Sequence, residues 1–249
     1  MLIRQVGEFA AGYTRIAAAG GLEFGILRLR PGQALDDKTE LETAWLLLAG
    51  EVRLEWEGGS AQARRSSLVE ESPTVLHLSA GSRARLTGGA GGAELAGVRV
   101  ANSRAFPPRL ILPGEVHSAL FSPPKLGSTA ERVVRSAIAD ASAPHSALVL
   151  GEVINRPGCW SSYPPHHHPH PEIYHYRFLP EAGFGYCEEG EQVYKVRHRD
   201  TVVLSPGLTH PQTSAPGYTM VYLWTMPHLE GNRFRDESRE FVQEHAWLK

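Results

Sequence analysis

Residues 166–172 carry an unusual density of side chains that can bind metal: His166, His167, His168, His170 and Glu172. Imidazoles held this close would repel one another if they were protonated. A divalent metal ion would keep them neutral and hold them together. The sequence therefore predicts a metal site in this stretch.

The spacing of these residues indicates which of them share a face. Side chains two apart in an extended segment point the same way, so His166, His168 and Glu172 are expected on one side. His210 follows the turn "SPGL" at the end of a predicted strand and is expected to be the fourth ligand. Three nitrogens and one carboxylate suit Zn²⁺, Mn²⁺, Fe²⁺ or Ni²⁺, with positions left open for substrate oxygens.

The surrounding sequence predicts strands that position these ligands. The 25 glycines and 18 prolines lie between short β-branched or aromatic runs, which is typical of an all-β protein. In "EVRLEWEGG" apolar and charged residues alternate, as in a strand with one buried face. We interpret "GGAGG" (88–92) as a turn. Residues 107–144 are predicted to be a Pro/Ser-rich connection with a short helix near 129–139.

The two halves of the chain are similar to each other. Residues 78–81 (LSAG) align with residues 204–207 (LSPG), and Glu42 can be placed on Glu172. This alignment puts Asp36, Lys38 and Ala84 where the second half has His166, His168 and His210. We therefore expect the first half to keep the scaffold without the ligands.

Composition excludes several classes of partner. The formal charge is −2, which gives no basic surface for nucleic acid or an anionic membrane. No apolar run reaches about 18 residues, so no membrane span is predicted. The first residues make a poor signal peptide, the two cysteines are expected to be reduced thiols, and we expect a cytoplasmic protein with a small-molecule partner.

Longer motifs connect the site to a known family. The pattern His-x-His, three residues, Glu, then Pro-Gly-x-x-His resembles the two motifs of the cupin superfamily. More narrowly, the chain resembles the 5-deoxy-glucuronate isomerases of inositol catabolism in "GCWSSYPPHHH", "EIYHYRFLPEAGFGY", "DTVVLSPGLTHPQTSAPGYTMVYLW", "PPRLILPGEV" and "GSTAERVVR". The resemblance covers roughly residues 105–228. The isomerases carry a longer acidic insertion where only residues 169–171 separate His168 from Glu172 here.

The resemblance implies a bicupin, an all-β protein of two antiparallel β-barrels of the double-stranded β-helix or jelly-roll type. Residues 1–115 would form a barrel without a metal site, and residues 116–249 would form a linker and the metal-binding barrel. The metal ligands of the family fall on His166, His168, Glu172 and His210. Zinc or manganese is the expected metal, with iron or nickel as alternatives, and a homo-oligomer is expected.

The resemblance also implies a metal-dependent aldose–ketose isomerase that converts 5-deoxy-D-glucuronate to 2-deoxy-5-keto-D-gluconate. Tyr174, which shares the parity of Glu172, Lys195 or a metal-bound hydroxide are the candidates for the proton-transferring base, and Arg177 for binding the substrate carboxylate. Two alternatives stay open, an iron-dependent cupin dioxygenase and a non-catalytic bicupin that binds a sugar acid. The acidic tail "RDESREFVQEH" (235–245) is interpreted as solvated surface.

Overall fold

The computed structural model describes residues 1–249, and its regular structure consists of strands and short 3₁₀ helices. The strands are, in chain order, β1 (Leu2–Ile3), β2 (Gly12–Ala19), β3 (Leu22–Leu29), β4 (Ala34–Lys38), β5 (Glu42–Trp56), β6 (Gly59–Arg65), β7 (Val75–Leu78), β8 (Arg83–Val100), β9 (Arg109–Ile111), β10 (His117–Phe121), β11 (Arg132–Ile138), β12 (Leu148–Asn155), β13 (Trp160–Ser161), β14 (His166–His167), β15 (Glu172–Leu179), β16 (Phe184–Glu189), β17 (Gln192–Arg197), β18 (Thr201–Leu204), β19 (Gln212–Ser214), β20 (Thr219–Pro227) and β21 (Glu240–Phe241). The 3₁₀ helices span Pro113–Glu115, Pro124–Ala130, Asp236–Ser238 and Gln243–Leu248. None of these helices is long and apolar enough to span a bilayer. The predicted all-β class is confirmed.

The chain forms two compact units. The C-terminal unit contains Met1–Val6, Ser118–Ser136 and Leu150–Lys249, and the N-terminal unit contains Gly7–His117 and Ala137–Val149. Compared with a division at residue 115, Met1–Val6 belongs to the C-terminal unit, and residues 116–117 and 137–149 belong to the N-terminal unit. Met1–Val6 joins the C-terminal unit because β1 pairs with β18. The assignment of residues 1–115 and 116–249 as the two domains stays a prediction.

The N-terminal unit is organised around two long strands. Its sheet has the order β2-β3-β8-β5-β7-β9, with β4 added to β8 and β6 added to β5. The predicted turn at 88–92 is wrong, because these glycines lie inside β8. Gly50 and Gly92 allow the backbones of β5 and β8 to approach so closely that a Cβ on Gly50 would overlap the Gly92 carbonyl oxygen.

The connection between the halves also differs from the prediction. The expected helix near 129–139 is wrong, since a 3₁₀ helix ends at Ala130 and residues 132–138 form β11. Val133, Val134 and Ile138 are β-branched, and such side chains favour a strand when a sheet edge is available to pair with.

Two sheets enclose the core of the C-terminal unit. One has the order β1-β18-β15-β20-β12-β11-β10, and the other has the order β13-β19-β16-β17. Buried side chains from the first sheet (Tyr176, Phe178 and Met220) pack with Cys187 and Val196 of the second. The unit is therefore two sheets packed face to face, as in a jelly roll, and neither sheet closes on itself.

The register of β5 corrects the sequence alignment of the two halves. Thr43 lies opposite Leu78, and Glu172 lies opposite Leu204, so Thr43 and not Glu42 is the counterpart of Glu172. Because side chains alternate along a strand, this one-residue shift places Glu42 on the other face of β5 from the core residue Trp45.

Candidate metal centre

The four predicted ligands lie on two strands and two loops of the C-terminal unit. His166 is in β14, His168 is in the following loop, Glu172 begins β15, and His210 lies between β18 and β19. The N–H of Gly207 donates to the His168 carbonyl at 2.8 Å. Gly207 has a φ of +76°, a conformation that glycine adopts without a steric penalty. This turn joins the loop that carries His210 to the loop that carries His168.

Three of the four side chains converge. Nε2 of His168 is 3.4 Å from Oε1 of Glu172, and Nε2 of His210 is 3.6 Å from Oε2 of the same carboxylate. One ligand atom from each of the three residues lies within 4.8 Å of the others, and all three side chains are buried. Ligands at about 2.1 Å from one ion are roughly 3 Å apart, so this arrangement suits a shared cation.

His166 lies beside this group of three. The centroid of its ring is 5.1 Å from that of His210 and 6.3 Å from that of His168. Its side chain is also buried. His166 therefore lies next to His168, Glu172 and His210 but is not part of the group whose ligand atoms converge. Its role as the fourth ligand is a proposal.

Backbone carbonyls fix the orientation of two of the histidines. Nδ1 of His166 is 3.0 Å from the Pro164 carbonyl oxygen, and Nδ1 of His210 is 3.0 Å from that of Leu208. A carbonyl oxygen only accepts, so each Nδ1 carries the proton and each Nε2 keeps a free lone pair. Metal-binding histidines are commonly held in this way.

The centre contains buried polar atoms with no hydrogen-bond partner in the protein. These atoms are Oε2 of Glu172 and Nδ1 of His168. Leaving a buried polar atom unpaired costs about 1–3 kcal/mol, and more if the atom is charged. A cation beside Glu172 would remove this cost for the carboxylate oxygen, so the residues present fit a bound divalent metal.

The ionisation states also suit metal binding. Burial lowers the pKa of His166 to about 3, and burial likewise lowers that of His210. Burial alone would raise the pKa of Glu172, but the interactions with His168 and His210 outweigh it and bring the pKa to about 2. Neutral imidazoles around an ionised carboxylate are the forms that bind metal.

Two buried tyrosines, Tyr174 and Tyr222, lie next to the centre. Tyr174 is on the same face of β15 as Glu172, and its ring centroid is 6.1 Å from that of His210 and 4.9 Å from that of Tyr222. Burial first, and then the charge of Glu172, raise the pKa of Tyr174 well above 10. The Tyr222 hydroxyl pairs with that of Ser161 at 2.6 Å. Tyr174 therefore brings a protonated phenol to the site.

The other two predicted functional residues are not brought to the centre. Lys195 is exposed on β17, with Nζ 4.1 Å from the centroid of the Phe184 ring. Arg177 is buried, but it alternates with Glu172 and lies on the opposite face of β15, where its Nε is 3.2 Å from Nε2 of His175. Neither position supports the role that the sequence suggested.

Residues 232–241 form one side of the centre. The acidic side chains of the tail, Asp236, Glu237, Glu240 and Glu244, are exposed as expected, but the interpretation as solvated surface does not hold for Phe241. The Phe241 ring centroid is 5.4 Å from that of His166, and β21 pairs with β14. The Phe234 ring lies edge-on to His168 at 5.2 Å. His170 is held by the tail, with Nε2 2.8 Å from the Asn232 carbonyl oxygen. The two phenylalanines, spaced among charged residues, were the signal that the sequence offered.

An all-β fold of two similar units, with a buried histidine–glutamate centre in one of them, is that of a cupin. The chain belongs to the KduI/IolB family, whose model matches residues 8–248. The predicted family is thereby confirmed.

A curated relative agrees with this family, and solved structures agree with the fold. The chain is 31% identical over 168 residues to a 5-deoxy-glucuronate isomerase from Geobacillus thermodenitrificans, a match that covers 61% of this chain and only 59% of that protein. Among solved structures, an IolB-like protein from Salmonella typhimurium superposes with a TM-score of 0.86 at 24% identity, covering 99% of this chain and 98% of that one. A cupin 2 conserved barrel domain protein from Leptotrichia buccalis has a TM-score of 0.52 at 12% identity, over 91% of this chain and 96% of that one.

Proposed function

We propose that this protein is a metal-dependent aldose–ketose isomerase of a sugar acid, with 5-deoxy-D-glucuronate as substrate and 2-deoxy-5-keto-D-gluconate as product. The observation that carries the proposal is the convergence of His168, His210 and Glu172 around an unsatisfied carboxylate oxygen. The name of the Geobacillus relative supports the choice of substrate.

The proposed reaction moves a proton from C2 to C1 of the sugar while negative charge develops on the carbonyl oxygen. A divalent metal held by His166, His168, Glu172 and His210 would act as a Lewis acid and stabilise that charge by several kcal/mol. Zinc and manganese are the first metals to test, followed by iron and nickel.

The reaction also needs a proton donor and protection from water, and we assign both to tyrosines of the chain. Tyr174 keeps its proton on Oη, because burial and Glu172 raise its pKa, and it can donate that proton to a substrate oxygen. The buried Tyr174 and Tyr222 exclude water from the side of the centre that they cover. Of the three candidates named from the sequence, Tyr174 is the side chain that lies at the centre, and because it keeps its proton we assign it as the donor to a substrate oxygen; the base that takes the proton from C2 is a separate group. We further propose that the protein is cytoplasmic and assembles with copies of itself.

The test is turnover of 5-deoxy-D-glucuronate by metal-loaded protein under nitrogen, followed by loss of the aldehyde signal in NMR. We expect turnover with at least one of the four metals, and its loss in His168→Ala and His210→Ala. His117→Ala, which removes an exposed histidine, is the matched control and should behave as wild type. Absence of turnover with every metal, or turnover that survives both ligand substitutions, would contradict the proposal. Oxygen consumption with iron would instead indicate a dioxygenase, and binding without turnover would indicate a sugar-acid-binding protein.

A further inference from the structure

A buried guanidinium faces the interior of the C-terminal unit. Arg132 is the first residue of β11, and it is only 8% exposed. It shares its parity on that strand with Val134, which packs against the core. Because alternate residues of a strand point to the same side, the Arg132 side chain is directed to the inner face of the sheet.

The protein gives this guanidinium no acidic partner. Nη1 donates to the Ala130 carbonyl at 3.0 Å, Nη2 donates to the Tyr163 carbonyl at 3.4 Å, and Cζ lies 4.0 Å from the centroid of the Phe121 ring. Arg135, on the same strand, is different, since its Nη1 donates to Oε1 of Glu152 at 2.8 Å. A buried charge without a counter-ion is costly, so such a charge is expected to meet an anion that the protein itself does not provide.

Arg132 lies in the same interior as the metal centre. Burial lowers its pKa to about 10, and smaller effects come from Tyr222, Arg239 and Tyr174, which are therefore near the guanidinium. Tyr174 in turn contacts Tyr222 and lies beside His210. With a pKa of about 10, the side chain is still a cation at neutral pH.

We propose that Arg132 binds the carboxylate of the substrate and makes the site specific for sugar acids over neutral sugars. The proposal rests on the isomerase function proposed above. A guanidinium presents two parallel N–H groups that match the two oxygens of a carboxylate, which a neutral hydroxymethyl group cannot satisfy.

Two other arginines are poorer candidates. Arg177 is on the opposite face of β15 from Glu172. Arg239 is near the centre, but its Nη2 already pairs with Oδ1 of Asp236 at 3.1 Å and its side chain is partly exposed. Arg132 is the buried cation of this interior whose contacts include no carboxylate.

The test compares 5-deoxy-D-glucuronate with 5-deoxy-D-glucose, which carries a hydroxymethyl group in place of the carboxylate. We expect Arg132→Met to lower kcat/KM for the acid by about 30-fold or more, mainly through KM, while kcat/KM for the neutral sugar changes less than about threefold. Arg132→Lys should retain part of the preference, because it keeps the charge and loses the paired geometry. Arg197→Met, which removes an exposed arginine of the same unit, is the control.

Metal content and the thermal unfolding midpoint of each variant establish that it is folded and loaded. If Arg132→Met fails to fold, Arg132→Lys decides the matter, and an unchanged preference for the acid in a folded Arg132 variant would overturn the proposal. Loss of the preference in Arg239→Met, with Arg132→Met unaffected, would do the same.

Calorimetric binding of the acid keeps this proposal separate from the isomerase proposal. If the wild type turns over neither sugar, weaker binding of the acid to Arg132→Met than to the wild type still supports the role of Arg132. Equal binding, or no binding to either, overturns it.

Discussion

Each unit buries one glutamate near the start of a central strand, and the two carboxylates have very different surroundings. Glu42 is 0% exposed and Glu172 is 4% exposed. Glu42 accepts hydrogen bonds from four groups of its own unit: Nε2 of His77 at 2.7 Å, Oγ of Ser146 at 2.5 Å, N of Ala147 at 2.8 Å and Nδ2 of Asn102 at 2.6 Å. Glu172 has an oxygen with no partner. A saturated carboxylate has a structural role, whereas an unsaturated one is available to a cation.

The two units have the same backbone turn next to these glutamates. In the N-terminal unit the N–H of Gly81 donates to the Thr39 carbonyl at 2.9 Å, as that of Gly207 does to His168 at 2.8 Å. Both glycines have positive φ values, +79° and +76°. Thr39 is therefore the counterpart of His168, as Thr43 is of Glu172. The same turn and register occur with and without the candidate ligands, so the fold does not depend on these residue types.

The largest effect is expected from Glu42→Ala, on stability. Removing this carboxylate leaves its four hydrogen-bonding partners unsatisfied in a buried site, so the free energy of unfolding should fall by about 3–5 kcal/mol. Urea unfolding at neutral pH measures this. Glu40→Ala, at an exposed position, should change the free energy by less than about 0.5 kcal/mol. Equal effects of the two substitutions would show that Glu42 has no structural role.

Glu172→Gln should instead have its main effect on metal binding and a smaller effect on stability. We expect metal affinity to fall by about 100-fold or more, because removing a direct ligand should cost at least as much as removing a group that orients one. The free energy of unfolding of the metal-free protein should fall by less than in Glu42→Ala, because the carboxamide keeps hydrogen-bonding atoms at this position and because binding residues are commonly not optimised for stability. Metal titration and urea unfolding give the two values, with the exposed Glu191→Gln as control. If the metal-free Glu172→Gln protein lost as much stability as Glu42→Ala, Glu172 would also have a structural role, and the proposed difference between the two glutamates would be contradicted.

The pH dependence of metal-free stability tests the buried histidines. Burial lowers the pKa of His166 to about 3, whereas an unfolded histidine titrates near about 6.5. Between these values the unfolded chain binds a proton that the folded one does not, so the stability present above about pH 6.5 is lost as the pH falls towards 3, by up to about 1.4 kcal/mol per pH unit. His166→Gln should make this fall shallower in urea unfolding at several pH values. The exposed His117→Gln should leave it as in wild type, and an unchanged slope in His166→Gln would contradict the assignment.

The parts of the molecule that the sequence predicted are those governed by local rules. The spacing of His168 and Glu172 and the turn at Gly207 could be interpreted from strand alternation and glycine geometry. The position of Glu42 could not, because register between distant strands decides which face a side chain occupies, and one residue reverses it. Arg132 lies on a strand where the local pattern predicts a helix, and Phe241 reaches the centre by pairing with His166, which is distant in the sequence. Both depend on long-range contacts that local patterns do not encode.

The smallest effect is expected when the ligands are transferred to the other unit. Thr39→His, Thr43→Glu and Ala84→His together place the ligand types at the counterparts of His168, Glu172 and His210. Made in the Glu172→Gln background, this triple variant should bind one divalent metal per chain weakly, about 100-fold or more below the wild-type centre, because the orienting contacts of a natural site are missing.

Calorimetric titration with zinc measures this binding. The matched control follows the sequence alignment instead of the structural register. Lys38→His with Ala84→His, and Glu42 retained, should bind no metal in the same background, because Lys38 and Glu42 lie one residue from the inward positions and Glu42 is already saturated by hydrogen bonds. Equal binding by the two sets would mean that the register observed for β5 and β7 does not determine where a ligand points. Binding by the triple variant alone would show that the two units share the backbone that a metal site needs. The difference between them would then lie in the residue types at the ligand positions.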